Sequence, residues 1–253
     1  MKKLMIAMGA AALFGAVHAD GIVSSDIVGY NTDSLTSGNF NMGGIMFSKV
    51  TGDAIDLNSD VTVANVTGGL DETESDTILV WNPSTSAYTT FYYNDDPEAP
   101  EDTGWWDVNF VVDPELGIGT AFWLRAKNAA NKSITVSGAV ESDDDFSVLL
   151  TGGNFNMVIN PYPTAIDLND TDTVEIANVT GGLDETESDT ILVWNPSTSA
   201  YTTFYYNDDP EAPEDTGWWD VNFVVDPELS AGTAFWYRAK AGTGKGLTFK
   251  KTY

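Results

Sequence analysis

Hydrophobic and polar positions along this chain come in short bursts, and almost nowhere do they recur with a helical period. The bursts are Ile27-Val28-Gly29-Tyr30, Asn39-Phe40-Asn41-Met42, Thr77-Ile78-Leu79-Val80-Trp81, Tyr88-Thr89-Thr90-Phe91-Tyr92-Tyr93, Trp105 to Val112, Thr120 to Leu124 and Ser133 to Val136. They are rich in β-branched and aromatic residues, which suit a pleated, half-buried surface. Between them stand Asn82-Pro83-Ser84, Asp95-Asp96-Pro97-Glu98-Ala99-Pro100 and Asp113-Pro114-Glu115-Leu116-Gly117, all turn or loop chemistry. Seven or eight short strands in roughly 110 residues, spaced by such breaks, predict an all-β protein built as antiparallel sandwiches, jelly-roll-like in outline.

The pattern then repeats. Residues Ala64 to Leu116 recur without a substitution as Ala177 to Leu229, 53 residues in each copy. Weaker matches flank them. Gly38-Asn39-Phe40-Asn41-Met42 answers to Gly153-Asn154-Phe155-Asn156-Met157, Ile55-Asp56-Leu57-Asn58 to Ile166-Asp167-Leu168-Asn169, and Arg125-Ala126-Lys127 to Arg238-Ala239-Lys240. The copied unit is therefore a whole folding module. We expect module 1 over 20–140, with an N-terminal strand segment over 22–35, and module 2 over 141–253. The short charged run Glu141-Ser142-Asp143-Asp144-Asp145 marks the boundary. The segment before the modules, 1–19, carries Lys2 and Lys3, an apolar run from Leu4 to Val17 and small residues around Val17-His18-Ala19. That is the layout of a cleaved secretory signal peptide. Asp20, not cysteine, would follow the cut, so no lipid anchor is expected there, and no later run reaches the roughly 18 apolar residues that span a bilayer. The expected location is extracellular or at the cell surface.

Composition removes whole classes of chemistry. The single histidine, His18, lies in the signal segment, and there is no cysteine. Serine–histidine and cysteine–histidine nucleophiles, histidine-ligated zinc and iron–sulfur clusters all need one of these side chains. Charge is just as one-sided, with 38 acidic against 11 basic residues and a net charge of −27. Each identical copy holds 12 acidic residues and no lysine or arginine. Like charge then argues against nucleic acid and anionic membranes as partners.

The second module carries a resemblance. Its run Gly153-Asn154-Phe155-Asn156-Met157-Val158-Ile159-Asn160-Pro161-Tyr162-Pro163-Thr164-Ala165-Ile166-Asp167 resembles the start of a recurrent β module. Asp189-Thr190-Ile191-Leu192-Val193-Trp194-Asn195-Pro196, Leu229-Ser230-Ala231-Gly232-Thr233-Ala234-Phe235-Trp236 and Leu247-Thr248-Phe249 are similar to its later landmarks. Such modules occur in secreted and cell-surface proteins of Bacteroidetes- and Verrucomicrobia-type bacteria. The resemblance implies a stalk or surface β domain and supplies no catalytic residues. In module 1, Phe47 to Asp53 replaces the Asn-Pro-Tyr-Pro turn.

Two constellations are candidates for function. The acidic loop Asp95, Asp96, Glu98 and Asp102, with its copy Asp208, Asp209, Glu211 and Asp215, offers the oxygen donors that calcium takes, six to eight at about 2.3–2.6 Å. No spaced calcium signature accompanies it, and the alternative is a stiff solvated hairpin loop. The tryptophans Trp105, Trp106, Trp218 and Trp219 form the other set. Neighbours on a strand point to opposite faces, so one of each pair fills the core and the other is free to face outward as a platform for sugar rings. The competing reading is that all four pack cores or guard edges. Paired carboxylates for glycoside hydrolysis would have to face each other in a cleft, whereas these acids fall in open loops and are duplicated. The expectation is thus a non-catalytic structural or adhesive surface protein, with self-association through the 22–35 segment in view. The alternative is a carbohydrate-binding or calcium-dependent ligand module.

Overall fold

In a computed structural model, residues 28–252 are described apart from 50, 52–53, 111, 113, 128–129, 141–144 and 224–226. The expected signal segment, the start of the 22–35 segment and most of the boundary run lie outside the described residues. Module 1 contributes β1 (Val28–Ser34), β2 (Phe40–Gly44), β3 (Phe47–Ser48), β4 (Ile55–Asp56), β5 (Val61–Ala64), β6 (Thr77–Asn82), β7 (Ala87–Asn94), β8 (Gly104–Asp107), β9 (Glu115–Leu116), β10 (Ala121–Arg125) and β11 (Ser133–Val140). Module 2 follows with β12 (Asp145–Leu149), β13 (Phe155–Ile159), β14 (Ile166–Asp167), β15 (Val174–Ala177), β16 (Thr190–Asn195), β17 (Ala200–Asn207), β18 (Gly217–Asp220), β19 (Glu228–Leu229), β20 (Ala234–Arg238) and β21 (Gly246–Lys250). The only helical pieces among the described residues are single 3-10 turns at Pro100–Asp102 and Pro213–Asp215. All ladders between named strands are antiparallel, so the all-β sandwich expectation holds.

Each module is two sheets with a core between them. In module 1, β11 is flanked by β1 on one side and by β3 and β5 on the other, and the second sheet runs β2-β10-β6-β7-β8. Val61, Ile134 and Val136 from the first sheet meet Ile78, Phe91, Trp105, Phe122 and Leu124 from the second. The β4-β9 ribbon adds the fully buried Ile55 beside Leu116. Module 2 repeats the plan as β12-β21-β15 over β13-β20-β16-β17-β18. Its Pro161-Tyr162-Pro163 turn replaces the β3 segment, yet Tyr162 reaches the core as Phe47 does. One expected strand is corrected. The run Trp105 to Val112 stops at Asp107, and Phe110 takes a left-handed conformation with φ of 57°.

A buried ion pair pins the loop before β6 to the start of β11. Asp76 and Lys132 are both fully buried. Lys132 Nζ donates to Asp76 Oδ2, to the Asn65 carbonyl at 2.7 Å and to Thr67 Oγ1 at 3.1 Å. Three acceptors for three N–H groups leave the ammonium satisfied. Asp76 also accepts the backbone N–H groups of Thr67 at 2.9 Å and Lys127 at 2.6 Å. Asp189 and Lys245 repeat the arrangement at 2.7 Å, and there Tyr237 adds its hydroxyl to Asp189 at 2.8 Å. Burial first, and the Asp189 carboxylate second, push the Tyr237 hydroxyl far above its ordinary value, so it stays protonated.

The two modules meet about a pseudo-twofold axis. Residues directly opposite on paired strands point to the same face, so Met42, Trp123 and Leu79 share the outer face of the five-stranded sheet. That face packs on its counterpart in module 2. Trp81 Nε1 donates to the Phe155 carbonyl at 2.7 Å, and Trp194 Nε1 donates to the Phe40 carbonyl at 2.9 Å. Asn39 Nδ2 reaches the Pro196 carbonyl and Ser199 Oγ, while Asn154 Nδ2 reaches the Pro83 carbonyl and Ser86 Oγ. Trp81 packs edge-on to Trp236 with ring centroids 5.7 Å apart, and Trp123 packs on Trp194 at 5.5 Å. Every one of these contacts occurs in both directions, which defines an isologous interface inside one chain.

Candidate functional site: the aromatic cleft beside the acidic loop

The loop from β7 to β8 is made rigid by its own sequence. Asn94 Nδ2 and Trp106 Nε1 both donate to the Asp102 carbonyl, at 3.0 and 2.8 Å. Asp96 Oδ1 accepts the Glu98 N–H at 2.8 Å, and the prolines carry the 3-10 turn over Pro100–Asp102. At the foot of the loop, Trp105 N donates to Asn58 Oδ1 at 2.6 Å. Module 2 matches this through Asn207, Trp219, Asp215 and Asn169, with distances of 3.0, 2.8 and 2.7 Å.

Strand alternation sorts the tryptophans. Trp105 and Trp218 are 2% exposed and are the core members of the two pairs. Trp106 and Trp219 are half-buried and turn to the other face. Each has an aromatic partner that the sequence pattern does not reveal. Phe110 packs edge-on to Trp106 at 5.5 Å, and Phe223 packs on Trp219 at 5.7 Å. Both phenylalanines are 67% exposed and both hold φ of 57°. A bulky residue in the left-handed region is strained, and an exposed one gains little burial in return. The signal was the run Asp107-Val108-Asn109-Phe110, whose Asp107 carbonyl accepts the Phe110 N–H at 2.9 Å and closes a turn where a strand was expected.

A cleft of about 430 Å³ lies between this aromatic pair and the acidic loop, lined by Asn58, Glu101, Asp102, Trp106, Phe110 and Pro114 among others. Its size falls in the range of small-molecule sites, roughly 300–1,000 Å³. It combines aromatic ring surface with carboxylates and an amide. Asp95, Asp96, Glu98 and Asp102, and Asp208, Asp209, Glu211 and Asp215, are brought into one loop each. Among the described residues, no three carboxylates converge as a metal-holding group. Asp96 Oδ1 is engaged by the Glu98 N–H of its own loop.

Sequence reasoning also misses the residues that join the modules. Trp81 and Trp194 read as strand residues, and Phe122-Trp123 reads as one core and one outward side chain. Trp123 is instead 8% exposed, because the other module covers it. Among the described residues no helix is long and apolar enough to cross a membrane. Scanned against protein-family models and curated proteins, the chain matches no family model and no curated protein.

Proposed function

We propose that this chain is a secreted, non-catalytic adhesive component of a surface or extracellular layer. Its two modules act as a single twofold unit that presents the same ligand ridge twice. The observation carrying this reading is the strained, exposed Phe110 beside Trp106, repeated as Phe223 beside Trp219. Backbone strain retained on an exposed aromatic is a mark of function, since folding alone would favour glycine or asparagine there. The ligand class that fits flat aromatic rings bordered by carboxylates and an amide is a polysaccharide chain, stacking a sugar face and bonding its hydroxyls. The secretory leader expected at 1–19 and the resemblance to surface β modules support the same setting.

Two equal sites on one body bring avidity, which raises apparent affinity by about 10²–10⁴ where both engage. The test is depletion of the purified chain by a panel of insoluble polysaccharides. One glycan class should retain the wild-type chain, Trp106→Ala or Trp219→Ala should each weaken retention at least tenfold, and the double variant should pass unretained. Equal retention of the double variant, or no retention of the wild type by any glycan, would overturn this reading.

A further inference from the structure

The interface that joins the modules is nearly self-complementary, yet its symmetry breaks where β2 and β13 end. Gly44 ends β2, and its counterpart at the end of β13 is Ile159. A Cβ on Gly44 would sit 2.9 Å from two Ile159 side-chain atoms and 2.8 Å from the Thr120 carbonyl. Ile159 therefore fills space that only glycine leaves open, and it belongs to the core cluster of module 1 together with Ala234, with Met157 packed against them. A β-bridge between the modules, Thr120 to Val158, lies beside the same spot. A module 1 face meeting another module 1 would lack this knob. Two module 2 faces would press Ile159 against Ile159. Only the mixed pair fills the hole once.

We propose that this face also joins separate chains, module 1 of one copy against module 2 of another. The pairing is head-to-tail, closing as an exchanged dimer or continuing as a longer polymer. The partner is a second copy of this chain, and the surface is the one already built, so no new contact is required. Within one chain β11 ends at Val140 and β12 begins at Asp145, and modules joined this closely meet at an effective concentration of about millimolar or above. Exchange between chains takes over when the local concentration of chains reaches that level, or when many chains fold side by side. Head-to-tail contact that does not close propagates without limit. This inference concerns the interface and stands apart from polysaccharide binding at Trp106.

The chain contains no cysteine, so introduced thiols report cleanly. The wild-type chain is unfolded and refolded over a concentration series in high salt, diluted, and sized by light scattering. Dimers and larger species should grow with refolding concentration and survive dilution. Chains carrying Asn39→Cys are then refolded with chains carrying Ser199→Cys, or in parallel with chains carrying Ser86→Cys, and treated with a short thiol cross-linker. Asn39 faces Ser199 across the mixed interface, whereas position 86 would face it only if two first modules paired. We expect 39–199 cross-links between chains at least tenfold above 39–86. A wild-type chain that stays monomeric at every concentration overturns the proposal. So do assemblies that form neither cross-link, or that form 39–86 as readily.

Discussion

At the scale of single residues, the strongest local commitments are buried charges and one strained aromatic. Lys132 and Asp76 have left water entirely, so removing one partner strands the other. Asp76→Ala or Lys132→Met should each cost about 3–5 kcal/mol, whereas replacing both by apolar residues of similar volume should cost much less. Urea unfolding of the single and double variants measures the difference. Phe110 behaves in the opposite sense. Phe110→Gly should leave stability unchanged or raise it by up to about 1 kcal/mol, because it releases left-handed strain at an exposed site, while it removes one wall of the cleft. Asp71 and Asp184 add a pH dependence. Hydrogen bonds from the Thr73 and Thr186 hydroxyls, then from their backbone N–H groups, hold these carboxyls below the ordinary 3.8. Their stabilising contribution is therefore complete above pH 3.8 and lost as pH falls through the lower folded-state value. Amide exchange at Thr73 and Thr186 should accelerate in that acid range, and Asp71→Ala should abolish the change at Thr73 only.

At the scale of elements, the outer face of each five-stranded sheet carries two separate tasks. Strands β2, β10 and β6 give their outer residues to the other module, while Trp106 on β8 stays at the far end of the same face, paired with Tyr92. The Asn82 to Ser86 turn serves the first task. Asn82 Oδ1 caps Ser84 N at 3.0 Å, and Ser86, at φ of 51°, presents its hydroxyl to Asn154. Trp194→Ala deletes both an indole hydrogen bond and an edge-to-face contact with Trp123. Loss of a tryptophan anchor of this kind costs on the order of 2 kcal/mol. It should uncouple the modules, and calorimetry should show one thermal transition divide into two. Trp219→Ala removes an equally large ring from the cleft side of the sheet and should leave the single transition intact.

At the scale of the whole molecule, a large negative charge and an isologous interface act against each other. Net charge of −27 opposes close approach of chains and of modules, and salt screens it over a Debye length of about 10 Å at 0.1 M. Raising salt from low to physiological strength should increase thermal stability, and a chain without the interface tryptophans Trp81 and Trp194 should gain less from salt. The edge strands β1 and β12 are placed alike, pairing β11 and β21 at corresponding positions, with Thr32 facing Thr135 and Ser147 facing Thr248. Both strands also approach the other module, Phe146 of β12 lying against Gly119 and Asn31 of β1 near Gly232.

Much of this was decided in the sequence. Period-two bursts bounded by proline, glycine and aspartate left no alternative to antiparallel sheets, and exact duplication made two modules with one plan. Alternation placed Trp105 and Trp218 inside and Trp106 and Trp219 outside once the strands were known. Tertiary structure alone decided the rest, because the deciding contacts are distant in sequence. Asp76 meets Lys132 across 56 positions, and Trp81 meets the Phe155 carbonyl across 74. Phe110 could be read as a strand residue until Asp107 closed its turn. The same 53 residues occur twice, so their pattern cannot tell which copy faces which. That choice lies outside the identical segment, in Gly44 against Ile159, where one module leaves a space and the other fills it.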